Sequence, residues 1–155
     1  MKPMTALRII AALALAGTTL LASTQPTRAA GPRALTLADF GGVSGGEDAP
    51  HSSVGGASYA HALKLDFYGS KIARFAHKFP GYASFSFAVG VPDQDAAGST
   101  RELVVTVDGK TVRDITKTYG QLATTISIPL GGVTSISLTD ASGDGIILAN
   151  PTLRR

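Results

Sequence analysis

The amino-acid sequence predicts an all-β chain folded as an antiparallel β-sandwich or jelly roll. Three observations predict it. Apolar residues recur at every second position in several runs rich in β-branched side chains, which is the period of a strand with one buried and one wet face. The runs follow one another at intervals of about 10 to 15 residues, punctuated by glycine and proline, as in sandwiches and barrels. Beyond the first thirty residues no segment sustains the period of an amphipathic helix.

The N-terminus differs in kind from the rest. Lys2 and Arg8 give a positive start, residues 9–21 (IIAALALAGTTLL) form an apolar run, and a polar stretch follows that ends in Ala29, Ala30 and Gly31. That order is the order of a secretory signal peptide. The apolar run is shorter than the ~20 residues a membrane-spanning helix needs. Cleavage after Ala29 sets Thr27 and Ala29 at −3 and −1, whereas cleavage after Ala30 sets bulky Arg28 at −3. The sequence therefore predicts residues 1–29 as a cleaved leader and an exported protein that is not an integral membrane protein. Lys2, Arg8 and Arg28 belong to the leader, so three of the 14 basic residues leave with it and 11 remain against 11 acidic ones. Such a balance lacks the basic footprint of nucleic-acid binding. With no cysteine, neither a disulfide framework nor a lipid-modified cysteine is available, and stability must come from an ordinary core. The residues left by the cut, about 125 of them, suffice for one domain.

Residues 30–56 read as an N-terminal strand and a loop, because Gly41, Gly42, Gly45, Gly46, Gly55 and Gly56 deny this stretch a helix. Residues 57–155 carry the remaining strands. Leu63, Leu65 and Phe67 alternate with Lys64 and Asp66. Leu103, Val105 and Val107 alternate with Glu102, Val104 and Thr106, and Asp108-Gly109 then signals a hairpin into Thr111 and Val112. Ile126, Ile128 and Leu130 form another row, as do Ile136 and Leu138. Same-parity residues share a face, so Leu63, Leu65, Phe85, Phe87, Val105, Val107, Ile126, Ile128, Ile136 and Leu138 are expected to point inward.

Residue types that carry chemistry are sparse. His51, His61 and His77 have no metal-ligand spacing, and no GxSxG elbow is present. Asp93 and Asp95, two apart in a loop, are close enough to share a cation such as calcium, although the loop lacks a full EF-hand set. Asp140 and Asp144 form a looser pair. There is no tryptophan, so flat-ring stacking on a ligand falls to tyrosine. Tyr59, Tyr68, Tyr82 and Tyr119 sit at strand ends, and Tyr119, beside Gly120 and Gln121, is the best exposed platform. Phe75, Phe79, Phe85 and Phe87 are expected in the core.

From about residue 35 to 153 the chain resembles the NPCBM family of carbohydrate-binding modules. Five stretches carry the resemblance in order. Ser53 to Tyr59 (SVGGASY) is similar to the family's glycine pair followed by tyrosine. Phe79 to Phe85 (FPGYASF) with Ala88 to Val91 (AVGV) resembles its Tyr-x-x-Phe strand and Val-Gly-Val turn. Val105 to Lys110 (VTVDGK) resembles its Asp-Gly-Lys hairpin, Gly132 to Leu138 (GVTSISL) a late strand, and Leu148 to Leu153 (LANPTL) its closing segment. Leu148 and Asn150 stand where the family often has Trp and Asp, and Pro92 delays the first acid of the loop after Val91.

The resemblance implies a galactose-binding-like β-sandwich without catalysis that recognises a glycan or polysaccharide. The site expected from it is a loop end with Tyr119 and Gln121 as contacts, and with Asp93 and Asp95 as polar partners or as ligands of a structural calcium. No cofactor is required. The alternatives are a secreted protein-interaction or cell-surface domain that keeps the fold without binding sugar, and a small hydrolase.

Overall fold

The computed structural model describes residues 31–40, 46–65, 70–73 and 79–155, with side chains outside 70–73. The leader, Phe67, Tyr68, Phe75 and His77 lie outside the described residues. Twelve strands are present among those described: β1 (Arg33–Ala34), β2 (Glu47–Asp48), β3 (Ser52–Val54), β4 (Ala57–Tyr59), β5 (Ala62–Leu65), β6 (Ser70–Ala73), β7 (Ser84–Gly90), β8 (Thr100–Val107), β9 (Lys110–Thr118), β10 (Thr124–Pro129), β11 (Ile136–Asp140) and β12 (Ile146–Arg154). A 3₁₀ turn, Leu37–Asp39, follows β1. All pairings are antiparallel. One sheet runs β10-β7-β12-β5-β2, with β1 also on β12, and the other runs β6-β11-β8-β9. This is the expected sandwich.

Alternation decides what fills it. From the first sheet come Leu63, Leu65, Phe85, Phe87, Ile126, Ile128 and Leu148, and from the second Leu103, Val105, Ile136 and Leu138, all in one buried cluster. The Phe85 and Phe87 rings lie 5.0 Å apart, tilted against each other. Burying each such side chain favours folding by about 1.5–3 kcal/mol over leaving it exposed. Of the residues expected inward, Val107 alone is only partly buried, because it ends β8 where the sandwich opens. Asp108 and Gly109 both have positive φ, 47° and 80°, as a two-residue hairpin turn requires.

Two features depart from the sequence reading. The stretch expected to be a loop up to Gly56 contains β2 and β3, and β3 pairs with β4 as a hairpin. Gly55 and Gly56, with φ of 57° and 79°, are its tight turn, so that glycine pair folds the chain back instead of leaving it irregular. The hairpin covers the outer face of the first sheet, where Val54, Ala62, Ile147 and Ala149 form a second small cluster. That cover explains why Ile146–Ala149 is apolar at every position: β12 is buried on both faces there. Lower down, β12 carries Pro151 inside a central strand. The register shifts between Ala149 and Thr152, and Asn150 adopts φ 49°, a conformation asparagine tolerates. Proline is admitted at such a bulge because no ladder donor is lost.

The antiparallel order puts loops 92–99, 119–123 and 141–145 at one pole and loops 79–83, 108–109 and 130–135 at the other. At the first pole the core-facing row of β8 ends not in an apolar residue but in Arg101, 9% exposed. Its guanidinium donates to Asp95 Oδ2 at 2.6 Å, to the Thr100 carbonyl at 3.0 Å and to the Gly145 carbonyl at 3.2 Å, and lies 3.6 Å from Asp144 Oδ2. Directly across the ladder stands Lys117, 8% exposed. Its Nζ donates to Thr124 Oγ1 at 3.0 Å, bridging the two sheets. Asp140, 3% exposed, shapes the 141–145 loop: its carboxylate accepts from the backbone N–H of Ser142, Gly143 and Gly145 and from the Ser142 hydroxyl.

Replacing Val105 or Ile128 with Asp buries an unpaired charge at a cost of several kcal/mol, a large part of a total stability of about 5–15 kcal/mol. Far-UV circular dichroism of either variant is expected to show an unfolded chain. Asp95→Ala leaves the Arg101 guanidinium without its close carboxylate and should cost about 3 kcal/mol. Asp144→Ala, at an exposed and longer pair, should cost under about 1 kcal/mol. Chemical denaturation of the two variants measures the difference, and equal losses would contradict the assignment of Asp95 as the principal partner.

Candidate functional site

Loops 92–99 and 119–123 and the β3–β4 turn meet at the first pole. Asp93 joins two of them. Its Oδ1 accepts from the Gly55 N–H at 2.7 Å and its Oδ2 from the Gly56 N–H at 2.9 Å, while its own N–H donates to the Ser53 carbonyl at 2.9 Å. The turn also packs on the third loop. A Cβ on Gly55 would lie 2.7 Å from the Gln121 carbonyl oxygen and 2.9 Å from Leu122 Cα, distances that side chains do not adopt. Backbone therefore meets backbone there, which places the 119–123 loop without any long side chain as a spacer.

That loop is a short, self-supporting turn. The Tyr119 N–H donates to the Ser99 carbonyl at 2.8 Å and the Gln121 N–H to the Thr118 carbonyl at 3.1 Å. Gln121 Oε1 accepts from the Thr118 N–H at 3.1 Å, which fixes one end of the carboxamide of this exposed side chain. Tyr119 is half-buried, and among the described residues no ring stacks on it and no group hydrogen-bonds its hydroxyl. Next to them Leu122 is 72% exposed. An aliphatic side chain, a phenol and an amide thus share one rigid turn, the mixture of apolar and polar surface that small-ligand sites use.

The four residues expected at the site divide into two pairs. Tyr119 and Gln121 lie on the same turn. Asp93 and Asp95 share their loop with each other but not a partner: Asp93 holds the Gly55–Gly56 turn, and Asp95 holds Arg101. This donor set does not fit calcium. Two backbone N–H groups face the Asp93 oxygens and a guanidinium faces Asp95, so each carboxylate already sits among positive ends of dipoles or a full cation. Among the described residues no group of three or more His, Cys, Asp and Glu side chains is arranged to hold a metal ion. Asp140 and Asp144 are divided in the same way between loop and guanidinium. Tyr59 packs on the second cluster, and Tyr82 lies at the opposite pole against Phe79 and the Arg155 guanidinium. His51 and His61 are exposed.

Sequence reasoning passed over Leu122 and Arg101. Leu122 breaks no alternation because it lies in a loop, yet a leucine between Gln121 and Ala123 ahead of a strand was a visible signal. Arg101 sits in phase with Leu103 and Val105, and that phase was the sign that its charge is buried.

No family model and no curated protein matches the chain by sequence. Solved structures do match by shape. A CBM51 module from a Clostridium perfringens family GH95 protein, in complex with methyl-galactose, superposes with a TM-score of 0.66 at 17% identity, over 79% of this chain and 99% of that one. The C. perfringens ZmpB protein, with its M60 catalytic domain and CBM51-1 and CBM51-2 domains, matches with a TM-score of 0.65 at 15% identity, over 80% of this chain but 15% of that one. Tandem CBM51 modules of the family 98 glycoside hydrolase Sp3GH98 from Streptococcus pneumoniae SP3-BS71 match with a TM-score of 0.62 at 15% identity, over 79% of this chain and 47% of that one. The fold of this chain is the galactose-binding-like β-sandwich of CBM51 carbohydrate-binding modules.

Proposed function

We propose that the chain is an exported, non-catalytic module that binds a glycan at the pole carrying loops 92–99 and 119–123. Tyr119 supplies the stacking ring, the Gln121 amide nitrogen a donor for a sugar hydroxyl, and Leu122 an apolar contact. Asp93 and Asp95 act one step back, as the residues that hold the loops in place. The observation that carries this reading is the phenol of Tyr119, without a partner among the described residues, on a turn fixed by its own hydrogen bonds. Carbohydrate recognition pairs a ring against the apolar face of a pyranose with fixed polar groups around its hydroxyls. The fold shared with a methyl-galactose-bound module supports the same reading, and so does the NPCBM-like order of motifs.

A protein-docking surface asks for a contiguous apolar patch. The large exposed hydrophobics among the described residues are Val112 and Leu122, one on β9 and one in the 119–123 loop, and they do not make such a patch. No helix among the described residues is long and apolar enough to cross a membrane.

Titration calorimetry against galactosides and common plant and microbial polysaccharides tests the proposal. One tyrosine offers less stacking area than the tryptophan the chain lacks, so affinities from millimolar to tens of micromolar are expected, roughly 4–7 kcal/mol. Tyr119→Ala should remove a large share of the binding with little change in melting temperature. Tyr82→Ala should lower the melting temperature and leave the affinity of the folded fraction unchanged. Absence of heat with every glycan, on protein shown to be folded, overturns the proposal. Export carries its own expectation: N-terminal sequencing of protein recovered from the medium should begin at Ala30. A first residue of Met1, or recovery only with membranes, would refute the leader.

A further inference from the structure

The two sheets part along the seam between β9 and β10, each an edge strand of a different sheet. At the first pole the seam is closed by Lys117 Nζ on Thr124 Oγ1. Four residues further along β9, about 13 Å at the usual strand rise, it stands open. There a cleft of about 360 Å³ is lined by Val107, Val112, Arg113, Ile128, Pro129 and Val133, among others. Its size falls at the lower end of the range for small-ligand sites, about 300–1,000 Å³.

A bulge builds this wall. The β8–β9 register pairs Val105 with Arg113 and Thr106 with Thr111, so Val112 is the extra residue. Regular alternation would send Val112 and Arg113 to opposite faces, and the bulge brings both onto the cleft, as bulges re-aim side chains at sheet edges. Val112 is 39% exposed as a result. The Arg113 guanidinium is steadied by donating to the Val112 carbonyl at 2.7 Å. It makes no ion pair among the described residues. Asp108, the acid of the neighbouring turn, is occupied by the backbone N–H groups of Thr134 and Ser135.

We propose that this cleft binds a small carboxylate carried on a short aliphatic body, with the chain against Val112, Ile128, Pro129 and Val133 and the carboxylate on Arg113. Aliphatic walls with no aromatic ring among the lining residues favour an alkyl group over a pyranose. A guanidinium with unused N–H donors at the rim is the group that takes a carboxylate in two parallel hydrogen bonds. This site is independent of the one at the 119–123 loop and stands or falls without it.

Octanoate is the probe, titrated into isotope-labelled protein and followed by backbone amide shifts. The signals of Val112, Arg113, Ile128 and Val133 should move together, while those of Tyr119 and Gln121 stay in place. Arg113→Gln should weaken binding about tenfold or more, and uncharged octanol should bind the unaltered protein more weakly by a similar factor. Val112→Asp should abolish binding without unfolding, since that side chain is already exposed. The proposal is overturned if octanoate moves no cleft signal, if Arg113→Gln binds as well as the unaltered protein, or if glucuronate moves the cleft signals and octanoate does not.

Discussion

A guanidinium at the end of the core governs how one pole of this molecule is built. Arg101 stands in the row that Leu103 and Val105 continue downward, so its side chain is drawn out of water by the same alternation that buries them. A charge in that position is tolerated only when every donor finds a partner. The partners come from three directions: Asp95 in loop 92–99, the Thr100 carbonyl on its own strand, and the Gly145 carbonyl in loop 141–145. Satisfying one buried cation therefore anchors two loops to the frame. The need is sharper because Lys117 faces Arg101 across the ladder, and like charges placed opposite each other repel.

The acidic residues of this pole serve the protein before they serve any ligand. Asp93 gathers the backbone N–H groups of a glycine turn, Asp140 those of another loop, and Asp95 neutralises Arg101. Each carboxylate replaces the water that a loop would otherwise need. The outcome is a pole whose irregular segments are tied to the frame by hydrogen bonds, and against it the 119–123 turn packs backbone to backbone on Gly55. Binding to preorganised groups loses less conformational entropy than binding to mobile ones, which matters most where a single ring carries the contact.

Much of the frame was legible in the sequence. Period-two rows marked β5, β8, β10 and β11 because a half-buried strand imposes that pattern on its residues, and Asp108-Gly109 marked its hairpin because few other pairs adopt two positive φ values. The β3–β4 hairpin was not recognised, since its strands are too short to show a period and its glycine turn resembles the glycine-rich stretch before it. Tyr119 and Gln121 were legible as a pair because they follow a strand at a glycine. The roles of Asp93 and Asp95 were not, because spacing of two suggests a shared ion equally well whether the neighbours are cations or N–H groups brought in from residue 55 or residue 101. Long-range partners decide such questions, and local spacing carries no record of them.

The bulge at Asn150 and Pro151 marks a change of neighbour. Above it β12 pairs with β5 through Ile146–Ala149, and below it Thr152 and Leu153 pair with β1. Arg33 and Ala34 thus lie beside the final strand at the pole far from Tyr119, so the polypeptide enters and leaves the described sandwich side by side. A tether at either place would hold the sandwich by its base and present the 119–123 turn outward, about a strand length, or 30 Å, from the point of attachment. Orientation is in this way written into the order of the strands, before any partner is met.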